Sequence, residues 1–368
     1  MISPKQFIAN KKTTIKEAME KLSSLGKHYS HNILLLTDKN ENLEGSVTDG
    51  DIRKAFLNGA TMETTLQEIG SKTPIVAPEG MPDENMLQLL KINKIQSLPI
   101  VNDDGIVVGI KKLEDELDYG RSDNSYAIIM AGGLGSRLMP LTSDIPKPML
   151  KVCDKPILQI LIESLKYYGF NDIVINIRYL SDIIVDYFKD GSDFDVNIQY
   201  IKEPEPMGTA GSLGLIDNGI LSEKPFLVIN GDILTTLNFR SFFDFHNAAE
   251  YDFTLCGRPY KVKIPFGYPV IEGDTVTEFK EKPEFVHLVN SGIYCISPEL
   301  VQMVTKNEYF DMPDLIDAAI ESKKRIGVFP LREAFHEIGR IETYKEAEGF
   351  YKKHFLHGIT TDWYMHNS

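Results

Sequence analysis

No stretch of this chain constrains its fold more than Ala131-Gly132-Gly133-Leu134-Gly135-Ser136-Arg137-Leu138-Met139-Pro140-Leu141-Thr142, which follows directly on the apolar run 127–130. The apolar run reads as a buried strand. Glycines carry no Cβ, so the loop lets backbone N–H groups close on a phosphate, and open α/β sheets bind ligands at the carboxyl ends of their strands. The loop lacks the Gly-Lys-Ser/Thr ending of a Walker-type phosphate loop, and its spacing is not that of a dinucleotide fingerprint opening a helix. It carries Arg137, and Pro146-Lys147-Pro148 follows with its lysine on a backbone stiffened by two prolines.

Downstream, the strand-like runs 173–177 and 226–229 alternate with amphipathic stretches such as 156–168, where Ile157, Ile160, Leu161, Leu165 and Tyr168 share one helical face. Strands alternating with helices predict an α/β domain with a mostly parallel sheet covered on both sides. Residues 251–296 are richer in β signals and predict an antiparallel, substrate-facing portion.

A chain of 368 residues is too long for one average domain. The first 118 residues hold a weak internal duplication. In the first copy a helix over 14–26 precedes a strand over 32–37, a turn over 38–44 and a segment, 45–51, that opens another helix. The second copy repeats the order with a helix over 83–93, a strand over 97–102, the turn Asp103-Asp104-Gly105, and a closing strand and helix over 106–117. The pattern resembles a tandem pair of cystathionine-β-synthase (CBS) domains, a smaller α+β module that often binds adenine nucleotides. Residues 119–125 are polar and turn-rich and read as a linker. The catalytic-looking domain then covers 126–355, and a tail, 356–368, holds Trp363 and reads either as a frayed end or as a contact for another subunit.

Charge and cysteine usage narrow the function. A net charge of −14 argues against a basic nucleic-acid surface, so an anionic substrate must be held by a few placed cations. Cys153, Cys256 and Cys295 lack the paired spacing of a zinc or redox motif and read as reduced packing residues. No apolar run is long enough to span a bilayer, and the polar start of the chain does not read as a secretory signal. A cytoplasmic protein without nucleic-acid or membrane partners is expected.

The run from Gly132 to Thr142 together with Pro146-Lys147-Pro148-Met149 resembles the nucleoside-diphosphate-sugar pyrophosphorylases, which join a sugar 1-phosphate to a nucleoside triphosphate and release pyrophosphate. Four later segments match in the family's order: Gly208-Thr209-Ala210-Gly211, Asn230-Gly231-Asp232, Glu281-Lys282-Pro283 and Asn290-Ser291-Gly292-Ile293-Tyr294. The resemblance implies a Rossmann-like, mostly parallel sheet. It implies nucleotide contacts from Ala131, Gly132, Gly133, Gly135, Ser136, Gly208 and Thr209. Arg137 and Lys147 would hold the triphosphate, Lys282 the attacking phosphate, and Gly267, Glu281 and Asn290 the sugar side. Mg2+ would sit on Asp232. The family usually closes that site with a second acid in a segment resembling Trp-x-Asp-Ile-Gly-Thr, where this chain reads Phe335-His336-Glu337-Ile338-Gly339-Arg340, so Glu337 is either a metal ligand or one step removed. Plainer readings stand beside these: Asp232 as a turn residue ending a strand, Glu281-Lys282 as a surface charge pair, and Gly267 as an ordinary strand glycine.

The chemistry agrees with the resemblance, because bringing two polyanions together requires cations from several directions and no covalent nucleophile. A CBS pair ahead of such a domain resembles the guanylyltransferases of legionaminic acid biosynthesis, which implies GTP and glucosamine 1-phosphate, or a related hexose 1-phosphate, as substrates. Mannose 1-phosphate guanylyl transfer is the near alternative, with uridylyl or thymidylyl transfer next. A reading of another class is a nucleotide-sensing regulator that has lost turnover, against which Arg137, Lys147, Asp232 and Lys282 all remain. In the module, Thr48 and Asp51 are the expected ligands of a regulatory adenine nucleotide, with Lys111 or Lys112 reaching its phosphates; the same Asp-Gly-Asp stretch is also a good helix cap. A homo-oligomer is expected.

Overall fold

The structure is a computed structural model that describes residues 4–25, 33–93, 95–112, 125–216 and 224–356. In the larger domain β7 (Tyr126–Met130), β10 (Asp172–Ile177), β11 (Asn197–Lys202), β12 (Phe226–Asn230), β14 (Phe253–Lys263), β17 (Glu284–Ile296) and β18 (Ile326–Pro330) form one sheet in the order β11-β10-β7-β12-β17-β14-β18. All neighbours are parallel except the two pairings made by β17. The α/β sheet expected from strand–helix alternation is therefore present, with one antiparallel strand near its middle.

Why both faces are covered can be read from β7 alone. Ala127 and Ile129 enter one apolar cluster with α5 (Ile157–Tyr167), α6 (Ser181–Phe188) and α7 (Phe239–Ala248). Tyr126 and Ile128 enter another with α8 (Met312–Glu321). A strand apolar at every position has two faces to bury, and helices on both sides bury them. Helix α5 is apolar on more than the one expected face, with Ile157 and Ile160 in a third cluster and Leu158, Leu161, Ile162 and Leu165 in the first.

Residues 251–296 form the expected antiparallel portion. The hairpin of β15 (Tyr268–Glu272) and β16 (Thr275–Lys280) and the outer halves of β14 and β17 project with most side chains exposed. Short strands complete the domain: β8 (Lys151–Val152) with β9 (Lys155–Pro156), and β13 (Ile233–Thr235) with β19 (Phe335–Glu337). Helix α9 (Ile341–Tyr351) closes it.

The N-terminal module has two similar halves. The first joins β1 (Ile8–Ala9), β2 (Ile33–Thr37) and β3 (Leu43–Thr48) to α1 (Ile15–Leu25) and α2 (Asp49–Leu57), followed by the short α3 (Leu66–Ile69). The second joins β4 (Ala77–Pro78), β5 (Ser97–Val101) and β6 (Val107–Lys112) to α4 (Asp83–Ile92). Val107 and Ile110 of β6 enter the core of the first half, so the repeats are packed together. One expectation shifts: Gly45, Ser46 and Val47 lie within β3, antiparallel to β2, and the helix opens only at Asp49. The cause is burial, since Val47 belongs on the sheet's core face while Thr48 supplies the cap. The closing helix of the second half, the linker 119–125 apart from Ser125, and the tail with Trp363 apart from Leu356 lie outside the described residues.

Candidate active site

Strands β7 and β12 are parallel neighbours with Asn230 opposite Met130, so the glycine-rich loop and Asn230-Gly231-Asp232 leave the sheet side by side. Gly231 N–H donates to the Met130 carbonyl at 2.9 Å, and a Cβ at Gly231 would stand 3.0 Å from that oxygen. Glycine permits this close approach. Lys147 opens a short turn after Pro146, and its ammonium pairs with the Asp232 carboxylate; the two side chains are only 12% and 18% exposed. Gly135, at φ +64°, presses on the same lysine, because a Cβ there would lie 3.1 Å from the Lys147 Cβ and 3.0 Å from Thr142 Cγ2. Gly133, Ser136 and Arg137 line the exposed side of the loop, while Ala131 and Gly132 are buried at its root.

The second acid arrives by strand pairing. Glu337 on β19 stands opposite Ile233 on β13, and Ile338 N–H donates to the Asp232 carbonyl at 3.0 Å, which places both acids on adjoining backbone. Glu337 is exposed, and the other carboxylate oxygen of Asp232, Oδ1, is buried with no hydrogen-bond partner among the described residues. Arg340 and Arg137 line one shallow concavity with Ile341 and Glu342, so the arginine at the departing position stands beside the cation of the loop.

Beneath these segments lies a single apolar cluster. Leu138 follows Arg137, Leu150 comes shortly after Lys147, Leu234 after Asp232, and Ile338 after Glu337; all four pack with Ala347, Tyr351 and Phe355 at the C-terminal end of the domain. Polar groups sit above and their apolar neighbours below, which fixes the spacing of the charges without further hydrogen bonds between them.

The turn at Gly208-Thr209, expected to contact the nucleotide, is rigid for local reasons. Gly208 has φ +77°, and a Cβ there would meet the Phe310 carbonyl at 2.6 Å. Thr209 donates from its N–H and Oγ1 to Asp311 Oδ1 at 2.8 and 3.0 Å, and its hydroxyl accepts from Met312 N–H at 2.7 Å, so this threonine ties the turn to the start of α8.

Three of the residues expected on the sugar side, Gly267, Glu281 and Lys282, gather at the base of the β15–β16 hairpin, and Asn290 lies on β17. Gly267 precedes β15 and Glu281-Lys282 follow β16, with Tyr268 opposite Lys280; a Cβ at Gly267 would meet Glu281 Oε2 at 2.5 Å. Lys282, with φ +45°, is exposed and has its ion-pair contact with Glu281 at 3.8 Å rather than with the Lys147–Asp232 centre. Asn290 donates to the Tyr294 hydroxyl at 2.7 Å and accepts from Gly292 N–H at 3.0 Å, so its amide serves the irregular turn of backbone within β17, opposite the register shift at Leu255/Gly257. That turn leans on the acid-bearing loop, since a Cβ at Gly292 would come 2.4 Å from Asn230 Nδ2.

In the module, Thr48 and Asp51 are engaged with each other. Thr48 Oγ1 and N–H both donate to Asp51 Oδ2 at 2.7 Å, and Asp51 N–H donates back to Thr48 Oγ1 at 3.2 Å, a capping box at the start of α2. Lys111 donates to Asp83 Oδ2 at 3.1 Å, and the Lys112 ammonium lies 5.3 Å from the centre of the Phe7 ring.

Sequence reasoning missed Glu203. Its buried carboxylate stands under the glycine-rich loop, where a Cβ at Gly132 would lie 3.1 Å from Oε2. Asn176 Nδ2 donates to its Oε1 at 2.5 Å, and Arg178 Nε lies 3.5 Å from Oε2. The available signal was Glu203 and Glu205 alternating with prolines just before Gly208, which resembles an ordinary acidic loop.

Comparison with known proteins decides the family. The profile described as Nucleotidyl transferase matches residues 126–354, and that of the CBS domain matches 2–58 and 66–110. The chain belongs to the nucleotidyl transferase family. Mannose-1-phosphate guanyltransferase 2 of Candida glabrata is 32% identical over 237 residues, covering 61% of this chain and 64% of that protein. Mannose-1-phosphate guanyltransferase of Saccharomyces cerevisiae is 33% identical over 226 residues, covering 58% and 61%. The chain thus spans less than two thirds of the length of these relatives. A crystal structure from Bacillus anthracis, assigned as a glucose-1-phosphate thymidylyltransferase, superposes with a TM-score of 0.50 at 19% identity over 65% of this chain and 97% of that one, a likeness of fold alone. In this nucleotidyl transferase no described helix is long and apolar enough to cross a membrane, and Cys153, Cys256 and Cys295 are free thiols, two of them buried.

Proposed function

We propose that the chain transfers a nucleotidyl group, GMP from GTP, to a hexose 1-phosphate, with glucosamine 1-phosphate or a close relative as acceptor, and releases pyrophosphate. The observation that carries the reading is the Lys147–Asp232 pair at the root of the glycine-rich loop, with Asp232 Oδ1 buried and unpartnered. A sugar-phosphate oxygen forms a bond to the α-phosphorus, the bond from that phosphorus to the bridging oxygen breaks, and pyrophosphate leaves with the electron pair. Arg137 and Lys147 hold the triphosphate and offset the charge that develops on the leaving group. Lys282, Glu281, Gly267 and Asn290 orient the acceptor, and the Gly208-Thr209 turn bounds the base. Asp232 and Glu337 would hold Mg2+, an ion that binds through one or two carboxylates and substrate phosphates, and it would supply charge neutralisation to the triphosphate.

Glu203, buried under the glycine-rich loop, accepts from Asn176 and lies beside Arg178, and so braces the root of the loop near where the base would sit; the choice of guanine rests on the guanyltransferase relatives. The CBS pair supports the legionaminic acid subgroup; mannose 1-phosphate is the alternative acceptor. A pyrophosphate-release assay with four nucleoside triphosphates against a panel of sugar 1-phosphates tests this. GTP should give the fastest turnover, whereas tight nucleotide binding without turnover in any pair would return the chain to the regulator class.

The proposal extends to a two-domain protein divided at 119–125, cytoplasmic and homo-oligomeric, whose module takes at most one adenine nucleotide at Thr48 and Asp51. Titration of the full chain with AMP, ADP and ATP should find one site, lost in Asp51→Ala.

A further inference from the structure

The start of α2 is built into the catalytic domain. Arg53 is 3% exposed and uses its whole guanidinium: Nε pairs with Asp49, Nη1 donates to the Pro330 carbonyl, and Nη2 donates to Glu333 Oε1 at 2.7 Å. Its face lies 3.8 Å from the centre of the Phe329 ring. Arg332 reaches back from the catalytic domain, donating from Nη2 to the Asp49 carbonyl at 3.1 Å and pairing with the Asp49 carboxylate. Charged groups withdrawn from water to this degree persist only when paired and hydrogen-bonded. Burial works to raise the Asp49 carboxyl, yet the two guanidiniums hold it below its ordinary range.

What the cluster grips is the segment that brings the second acid. Leu331 N–H donates to the Gly257 carbonyl at 2.8 Å, Ala334 exchanges hydrogen bonds with Thr236, and the chain then enters β19, where Glu337 faces Ile233 and Ile338 N–H binds the Asp232 carbonyl. Gripped at Pro330 and Glu333, the strand holding Glu337 has a defined height relative to Asp232. Released there, it keeps its pairing with β13, the Leu331–Gly257 hydrogen bond and the Ala334–Thr236 exchange, but loses the side-chain ties at Pro330 and Glu333.

We propose that Arg53 of the N-terminal module is a positioning residue for the reaction, setting the spacing of the Asp232 and Glu337 carboxylates through residues 330–338. The proposal rests on the nucleotidyltransferase reading for its metal site. It needs no ligand in the module, and it assigns that module a part in the chemistry besides regulation.

The test uses the full chain with Arg53→Ala, Arg53→Lys and Glu333→Gln, with Asp232→Ala as the reference for loss of the site. Mn2+ binding is followed by electron paramagnetic resonance, and turnover by pyrophosphate release at varied Mg2+. Arg53→Ala should weaken Mn2+ binding and lower kcat by about tenfold, the range typical of groups that orient metal ligands, while KM for the sugar 1-phosphate is unchanged. Lysine should rescue poorly, since one ammonium cannot reproduce the three-way fork. Glu333→Gln removes the charge of one partner while leaving the arginine in place, and should give the same split, to a lesser degree, if Arg53→Ala does not fold. Mn2+ affinity and kcat equal to those of the unsubstituted chain, with only the melting temperature lowered, would overturn the proposal. Because Mn2+ binding is read without turnover, failure of the unsubstituted chain to release pyrophosphate counts against the substrate reading separately.

Discussion

At the scale of single residues, the site is a matter of which charges are free to meet a substrate. Lys147 and Asp232 neutralise each other across the root of the loop, so on the proposed reading the lysine would turn to a triphosphate and the acid would hold a divalent cation. Lys147→Ala and Asp232→Ala should each lower kcat/KM by about a hundredfold or more, with circular dichroism unchanged. Lys282 stands on the exposed hairpin, and Lys282→Ala should raise KM for the sugar 1-phosphate more than KM for the nucleotide. The opposite order in steady-state kinetics would mean that the two phosphate sites are exchanged. The meeting of Lys147 with Asp232 beside the glycine-rich loop was legible in sequence, because both follow apolar strands or stiff turns that a parallel sheet sets side by side. Glu203 was not, since an acid between loop residues carries no mark of burial until the strand before it is placed.

At the scale of elements, four segments from distant parts of the chain stand on one apolar base of Leu138, Leu150, Leu234 and Ile338. Ile338→Ala should cost about 2–4 kcal/mol in urea denaturation and should lower activity more than an equal loss elsewhere in the core, because the cavity lies under Asp232 and Glu337. Strands β7, β10 and β12 and helix α5 could be read in advance from period and length. Strands β13 and β19 could not, since three residues apiece are too few to show alternation, and it is their pairing that brings the second acid to the first. The start of α2 was placed early for a similar reason: Asp-Gly-Asp announces a helix, but only the pairing of β2 with β3 decides where the strand before it stops.

At the scale of the whole molecule, stability should depend on pH through a buried histidine. His246 is 1% exposed, its Nδ1 lies 2.9 Å from Thr254 Oγ1, and burial, partly opposed by Asp252, pushes its pKa down from 6.5 to about 4. Between those values the unfolded chain binds a proton that the folded chain refuses. The contribution is therefore intact above about pH 6.5 and declines as the pH falls, by about 3 kcal/mol near pH 4. Melting curves across that range should show the slope, and His246→Gln should flatten it. The junction between the domains was the least legible part of the chain, because Arg53 on a short charged helix has the sequence of a solvated face, and the partners that bury it lie 277 residues away at Pro330 and 280 away at Glu333. That distance has a meaning during synthesis. At about 5–20 residues per second, roughly 15–55 seconds separate the appearance of Arg53 from that of Pro330, an interval in which Asp49 is on hand for its guanidinium but Pro330 and Glu333 are not. The module's docking completes only when nearly the whole catalytic domain has been made, and a ribosome that stops early leaves a chain whose halves cannot lock.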